Sequence, residues 1–114
     1  MAVKNNNGEC NSLYRSTTPT IKLRIQNEDF DMTKIDICHV TIQQANGKNQ
    51  KIFEHPDIDE YNKVVSVDLS QQDTLDYEYG NINIQMKIKL KNGKVITHPI
   101  LTTTMQRILE EAVL

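Results

Sequence analysis

Between Asn81 and Lys91 every second residue is aliphatic: Ile82, Ile84, Met86, Ile88 and Leu90 alternate with Asn83, Gln85, Lys87 and Lys89. A period of two puts the first set on one face of an extended strand and the second on the other, whereas a helix would scatter both around its circumference. A strand with one wholly apolar face cannot stand alone. It requires neighbours along its edges and a second layer over that face, so this segment alone directs the chain toward a sheet protein.

The same alternation recurs. Ile21, Leu23 and Ile25 predict a first strand over 20–26, Cys38, Val40 and Ile42 a second, and Val65, Val67 and Leu69 a fourth. Asn46-Gly47 and Asn92-Gly93 each sit at the centre of a tight turn, which predicts two antiparallel hairpins. One joins the second strand to a third near 49–54, and the other joins the long strand to a sixth over 94–103. A two-residue turn of this kind expects positive φ at both central residues. Ser70 followed by Asp73 matches a helix N-cap and predicts a single turn. His55-Pro56 with Asp57, Asp59 and Glu60 reads as an acidic loop, because proline restricts the residue before it and donates no ladder hydrogen bond.

The ends differ from the middle. Residues 1–18 are polar and offer little to bury, so they are expected to form a flexible arm, with 19–114 a single β domain. Met105, Ile108, Leu109 and Ala112 recur at helical spacing, predicting a short amphipathic helix over 104–113. Its apolar stripe, Met105, Ile108, Leu109, Ala112 and Val113, is the candidate interface, since a helix of about ten residues is marginal unless it docks on something. The expected fold is therefore mainly β: an antiparallel sandwich or strongly twisted sheet of about six strands, closed by a C-terminal helix.

Composition narrows the function classes. The 114 residues include 38% hydrophobic side chains, no Trp and two Phe, so the core must come from Ile, Val and Leu. A net charge of −2 without long blocks of either sign offers no footprint for nucleic acid. No apolar run approaches the roughly 20 residues of a membrane span. Residues 1–11 lack the apolar stretch of a leader peptide, so synthesis in the cytoplasm is expected, with Cys10 and Cys38 reduced.

No pattern that carries catalysis emerges. His39, His55 and His98 lie at least 16 residues apart, without zinc-like spacing. The Asp57 loop lacks the ligand order of a calcium loop, the isolated glycines cradle no phosphate, and neither Cys10 nor Ser66 has the context of a nucleophile. Lys87, Lys89 and Lys91, with Lys22 and Arg24, would make a basic sheet face if their strands were neighbours, but without interleaved aromatics it reads as a solvated face. No catalytic, cofactor-binding or metal-ligating residue is expected.

Four segments carry a resemblance: Thr17-Thr18-Pro19-Thr20-Ile21, Val40-Thr41-Ile42-Gln43-Gln44, Val67-Asp68-Leu69-Ser70-Gln71-Gln72-Asp73-Thr74-Leu75, and Ile84-Gln85-Met86-Lys87. Together, across about 17–114, they resemble the small β proteins encoded among tail genes of phages and prophages of Gram-positive bacteria. The arrangement is similar to the N-terminal attachment domain of upper baseplate proteins. The resemblance implies a virion structural component, located in the tail and made in the host cytoplasm, and brings no catalytic residues with it; where upper baseplate proteins continue, this chain is expected to carry no fibre or receptor-binding region.

These observations lead to a non-enzymatic protein that acts through contacts with other tail or baseplate proteins, expected as a homo-oligomer within the assembly, without nucleic acid and without a membrane span. Two other readings satisfy the same residues. One is a carbohydrate-binding β-sandwich used for adhesion, with Tyr61, Tyr77 and Tyr79 as its aromatic platform; the other is a small regulatory protein that binds a host enzyme.

Overall fold

The computed structural model describes residues 12–114. Among them it has nine strands: β1 (Leu13–Tyr14), β2 (Thr20–Arg24), β3 (Ile35–Gln44), β4 (Lys51–Phe53), β5 (Asp57–Asp59), β6 (Val64–Asp68), β7 (Gly80–Leu90), β8 (Val95–Thr97) and β9 (Leu101–Gln106). One short helix, α1 (Gln71–Leu75), and one 3-10 turn (Met32–Lys34) complete the regular structure. The chain is mainly β.

Two sheets form. The larger follows the order β1-β9-β7-β3-β4, with β8 also paired to β7; the smaller follows β2-β6-β5. Every pair is antiparallel except β1 with β9, which run parallel. The long alternation seen in the sequence becomes β7 at the centre of the larger sheet, with Ile82, Ile84, Met86 and Ile88 fully buried. They join Val40 and Ile42 of β3, Ile21 and Leu23 of β2, and Val65 and Val67 of β6 in one apolar cluster. Both sheets thus contribute to a common core, where each large aliphatic side chain contributes about 1.5–3 kcal/mol on burial.

Both hairpin loops appear where the Asn-Gly pairs predict them, in a different form. Gly47 N–H donates to the Gln44 carbonyl at 2.9 Å, Gln44 N–H donates to the Lys48 carbonyl at 2.9 Å, and Gly47 alone of the central pair has positive φ, +85°. The second loop repeats this: Gly93 to Leu90 at 2.9 Å, Leu90 to Lys94 at 2.8 Å, and φ of +88° at Gly93. These are three-residue loops closed by a glycine bulge rather than two-residue turns. The Asn side chain explains the difference, since Asn46 Oδ1 accepts from Lys48 N–H at 3.0 Å and Asn92 Oδ1 from Lys94 N–H at 2.9 Å. That bond holds each Asn within its turn and leaves the left-handed residue to Gly.

Three expectations need correction. The acidic stretch after Pro56 is not wholly a loop: Asp57–Asp59 is edge strand β5, paired to β6. The sixth strand is two, β8 and β9, laid end to end along the same edge of β7 and interrupted at His98-Pro99, where proline cannot continue a ladder. The helix expected over 104–113 does not form; 101–106 is strand β9, and 107–114 has no regular structure. Pairing with β7 on one side and β1 on the other supplies β9 with ladder bonds, and a helix of about ten residues is too weak on its own to compete.

Of the arm expected over 1–18, only 12–18 belong to the described residues. Residues 1–11, including Cys10, lie outside the described part. Residues 12–18 are packed: Leu13 is buried in the core, Arg15 N–H donates to the Gln106 carbonyl at 3.0 Å, and Thr17 exchanges hydrogen bonds with the buried Thr74 hydroxyl at 3.1 and 2.9 Å. One well-placed leucine and satisfied backbone groups order a segment that is polar on average.

Candidate interaction surfaces

A short strand at the end of a sheet leaves one row of backbone groups without a ladder partner, and β4 and β5 occupy such ends. The two edges differ in chemistry. β5 carries Asp57 and Asp59 on either side of Ile58, and flanking charge of this kind discourages edge-to-edge pairing. Asp59 is itself engaged, accepting from the Asn62 amide group and backbone N–H at 2.8 and 3.1 Å, and those bonds hold its carboxyl below the usual value. β4 is less guarded. Its central Ile52 is 51% exposed, and Lys51 is turned away to bond Asp76 at 2.6 Å and Asp73 at 3.3 Å.

Those two aspartates belong to the cap and the end of α1. The Ser70 hydroxyl accepts from Asp73 N–H at 3.0 Å while Asp73 Oδ2 accepts from Ser70 N–H at 2.9 Å, the capping box its spacing predicts. Burial alone would raise the Asp73 carboxyl, but the Ser70 bonds and Lys51 outweigh it and hold it lowered. Asp76 is lowered chiefly by Lys51 and then by Gln72, and Lys51 is raised chiefly by Asp76. Lys51 therefore fastens β4 to α1.

The candidate interface residues part company. Met105 is 1% exposed and belongs to the core, because alternation along β9 turns it inward with Thr103. Ile108 is half-buried, whereas Leu109, Ala112 and Val113 are exposed. No single helical stripe unites them. The tail that carries them is nonetheless fastened: Arg15 donates to both Glu111 carboxylate oxygens at 2.8 and 2.7 Å and to the Leu75 carbonyl at 3.1 Å, and the Ser16 hydroxyl donates to the Ala112 carbonyl at 3.1 Å. Sequence periodicity missed this clasp because it joins residues 96 positions apart.

The remaining candidates are dispersed. Lys22 and Arg24 lie on β2 and Lys87 and Lys89 on β7, in different sheets, so the five basic residues do not form one sheet face. His39 and His55 border a shallow depression of about 390 Å³, with Ile37 and Ile58 beside them, but His98 lies outside it, on the link between β8 and β9, its imidazole lowered by burial. Among the described residues no group of three or more His, Cys, Asp or Glu gathers as a metal ion would require. Among the same residues no helix is long and apolar enough to cross a membrane. Tyr77 cannot serve a stacking platform with Tyr61 and Tyr79, since it is wholly buried. Cys38 is also buried, its thiol pushed up to about 11.

No protein-family profile and no curated protein matches the chain. Among solved structures it is similar in fold to CopC from Methylosinus trichosporium OB3b, with a TM-score of 0.51 over 84% of each chain at 12% identity. At that identity the likeness is one of fold alone.

Proposed function

We propose that this chain is a non-enzymatic structural protein of a phage tail or baseplate, acting through protein contacts in a multi-copy assembly within the virion. The observation that supports this reading is the β4 edge. Among the described residues no strand pairs with its outer side, and it presents the half-exposed Ile52 while its one lysine is held elsewhere. Strand addition to such an edge gives affinity through backbone hydrogen bonds and specificity through alternate side chains. The exposed Leu109, Val113 and Leu114 on the tail are a second apolar contact. In this reading the two sheets are the layers of a β-sandwich that presents edges and chain ends to its neighbours.

Tail particles purified after prophage induction, probed with an antibody against the chain, are expected to contain it in several copies per particle. Light scattering behind size-exclusion chromatography is expected to give an oligomer, or a complex with a co-purified tail protein, that Ile52→Lys weakens. Particles devoid of the chain would refute the proposal.

A further inference from the structure

The outer face of the larger sheet carries a built polar groove. Alternation turns Thr41 and Gln43 of β3, and Asn83 and Gln85 of β7, away from the core side occupied by Val40, Ile42, Ile82 and Ile84. Register sets Gln43 opposite Asn83 and Thr41 opposite Gln85. With Gln50 and Ile100 these four line a depression of about 270 Å³ that contains no charged side chain.

Each of the four amides is held by a hydrogen bond. Gln43 Oε1 accepts from Gln50 Nε2 at 2.8 Å, Asn83 Oδ1 accepts from the Thr102 hydroxyl at 3.0 Å, and Gln85 Nε2 donates to the His98 carbonyl at 2.8 Å. Each bond consumes one half of an amide and fixes its plane. The other halves, Nε2 of Gln43, Nδ2 of Asn83, and Oε1 of Gln50 and Gln85, are further donors and acceptors on residues that line the groove together with Thr41.

The uncharged character continues along β7 and β9 toward one end of the sheet, through Asn81 opposite Thr104, to Gln106 opposite Tyr14. Tyr14 is 48% exposed there, and Tyr79, next to the start of β7, is 59% exposed with the Arg107 guanidinium 4.7 Å from its ring centre.

We propose that this face binds a neutral oligosaccharide, its hydroxyls held in the amide groove and a further residue of the sugar chain resting on Tyr14 or Tyr79. A sugar hydroxyl both donates and accepts, which amide donors and acceptors satisfy in pairs. An ionised ligand would surrender its hydration with no opposite charge in the groove to compensate. The aromatic rings supply the apolar surface against which the C–H face of a pyranose packs. This site adjoins the β4 edge invoked for assembly, since Thr41 pairs with Ile52 and Gln50 immediately precedes β4, but it is built from side chains on the broad face and not from the backbone of that edge, so either proposal stands without the other.

Full-length ¹⁵N-labelled protein, titrated separately with maltohexaose, cellohexaose and the hexamer of N-acetylglucosamine, tests it. At least one is expected to give saturable shifts of the Gln43, Asn83 and Gln85 side-chain amide signals, and Asn83→Ala or Gln43→Ala is expected to weaken binding about tenfold with the backbone spectrum otherwise unchanged. A trimer of galacturonic acid is expected to shift nothing. The proposal fails if none of the neutral hexamers acts at about 10 mM. It fails equally if the anionic trimer binds as well, if the variants bind as the parent does, or if these signals instead move with protein concentration alone, which would make the face a contact between copies of the chain.

Discussion

The Tyr77 hydroxyl, wholly buried, donates a 2.7 Å hydrogen bond to the carbonyl oxygen of Ile42. Ile42 is a crossing point of the larger sheet, opposite Ile84 on β7 and Lys51 on β4. The bond thus ties the segment after α1 to the C-terminal part of β3. Burial, reinforced by the nearby charges of Asp73 and Asp76, raises the phenol well above its ordinary value, so it remains a donor throughout the working pH range.

Tyr77→Phe is expected to lower the unfolding free energy by about 1–3 kcal/mol, because the ring still fills its site while a buried acceptor loses its donor. Tyr77→Ala should cost about 3–5 kcal/mol through the added cavity. Urea denaturation measures both. A Phe variant as stable as the parent would show that the bond is dispensable.

The Lys51, Asp73 and Asp76 cluster predicts a defined pH dependence. Both carboxyls are lowered from 3.8, so their contribution is complete above that value and disappears as pH falls through the lower folded values. Lys51 is raised from 10.5, so its share is complete below that value and is lost as pH rises past the folded one. Because all three side chains remain partly exposed, the total is expected to stay within about 1 kcal/mol. Thermal melts of Lys51→Met should therefore lower the neutral plateau by up to that amount and flatten the acid limb to match, leaving stability at low pH unchanged; an unchanged acid limb would argue that the cluster does not act on stability.

Cys38 is expected to resist a thiol reagent in the folded protein. Its thiol is buried and pushed up to about 11, so at mildly alkaline pH little thiolate forms and access requires opening of β3. In a Cys10→Ala background, labelling should be slow in buffer and fast beyond the urea midpoint. Rapid labelling without urea would place the side chain elsewhere.

The five residues first grouped as an interface should behave as two classes. Met105→Ala is expected to cost about 2–5 kcal/mol as a core truncation. Leu109→Asp and Val113→Asp should leave the melting temperature within about 2 °C of the parent and reduce only association with partners, since exposed positions contribute little to folding. Equal destabilisation by all five would restore the view of one docked stripe.

What sequence determines here is whatever depends on near neighbours. Alternation in 81–91 dictates a strand with an apolar face, Asn-Gly dictates a turn, and Ser70 with Asp73 dictates a capped helical turn, because each rests on contacts within a few residues. Tertiary structure decides what depends on distant partners. Periodicity in 104–113 favours a helix, yet β7 and β1 flank that stretch and draw its first residues into β9, taking Met105 into the core. By composition the stretch after Asn11 has little to bury, yet in the fold Leu13 enters the core and Arg15 pairs with Glu111. Asp57–Asp59 becomes a strand only because β6 lies beside it. The amide groove likewise exists only through the register that sets Gln43 against Asn83, for ladder bonds join residues too far apart for any local pattern to announce.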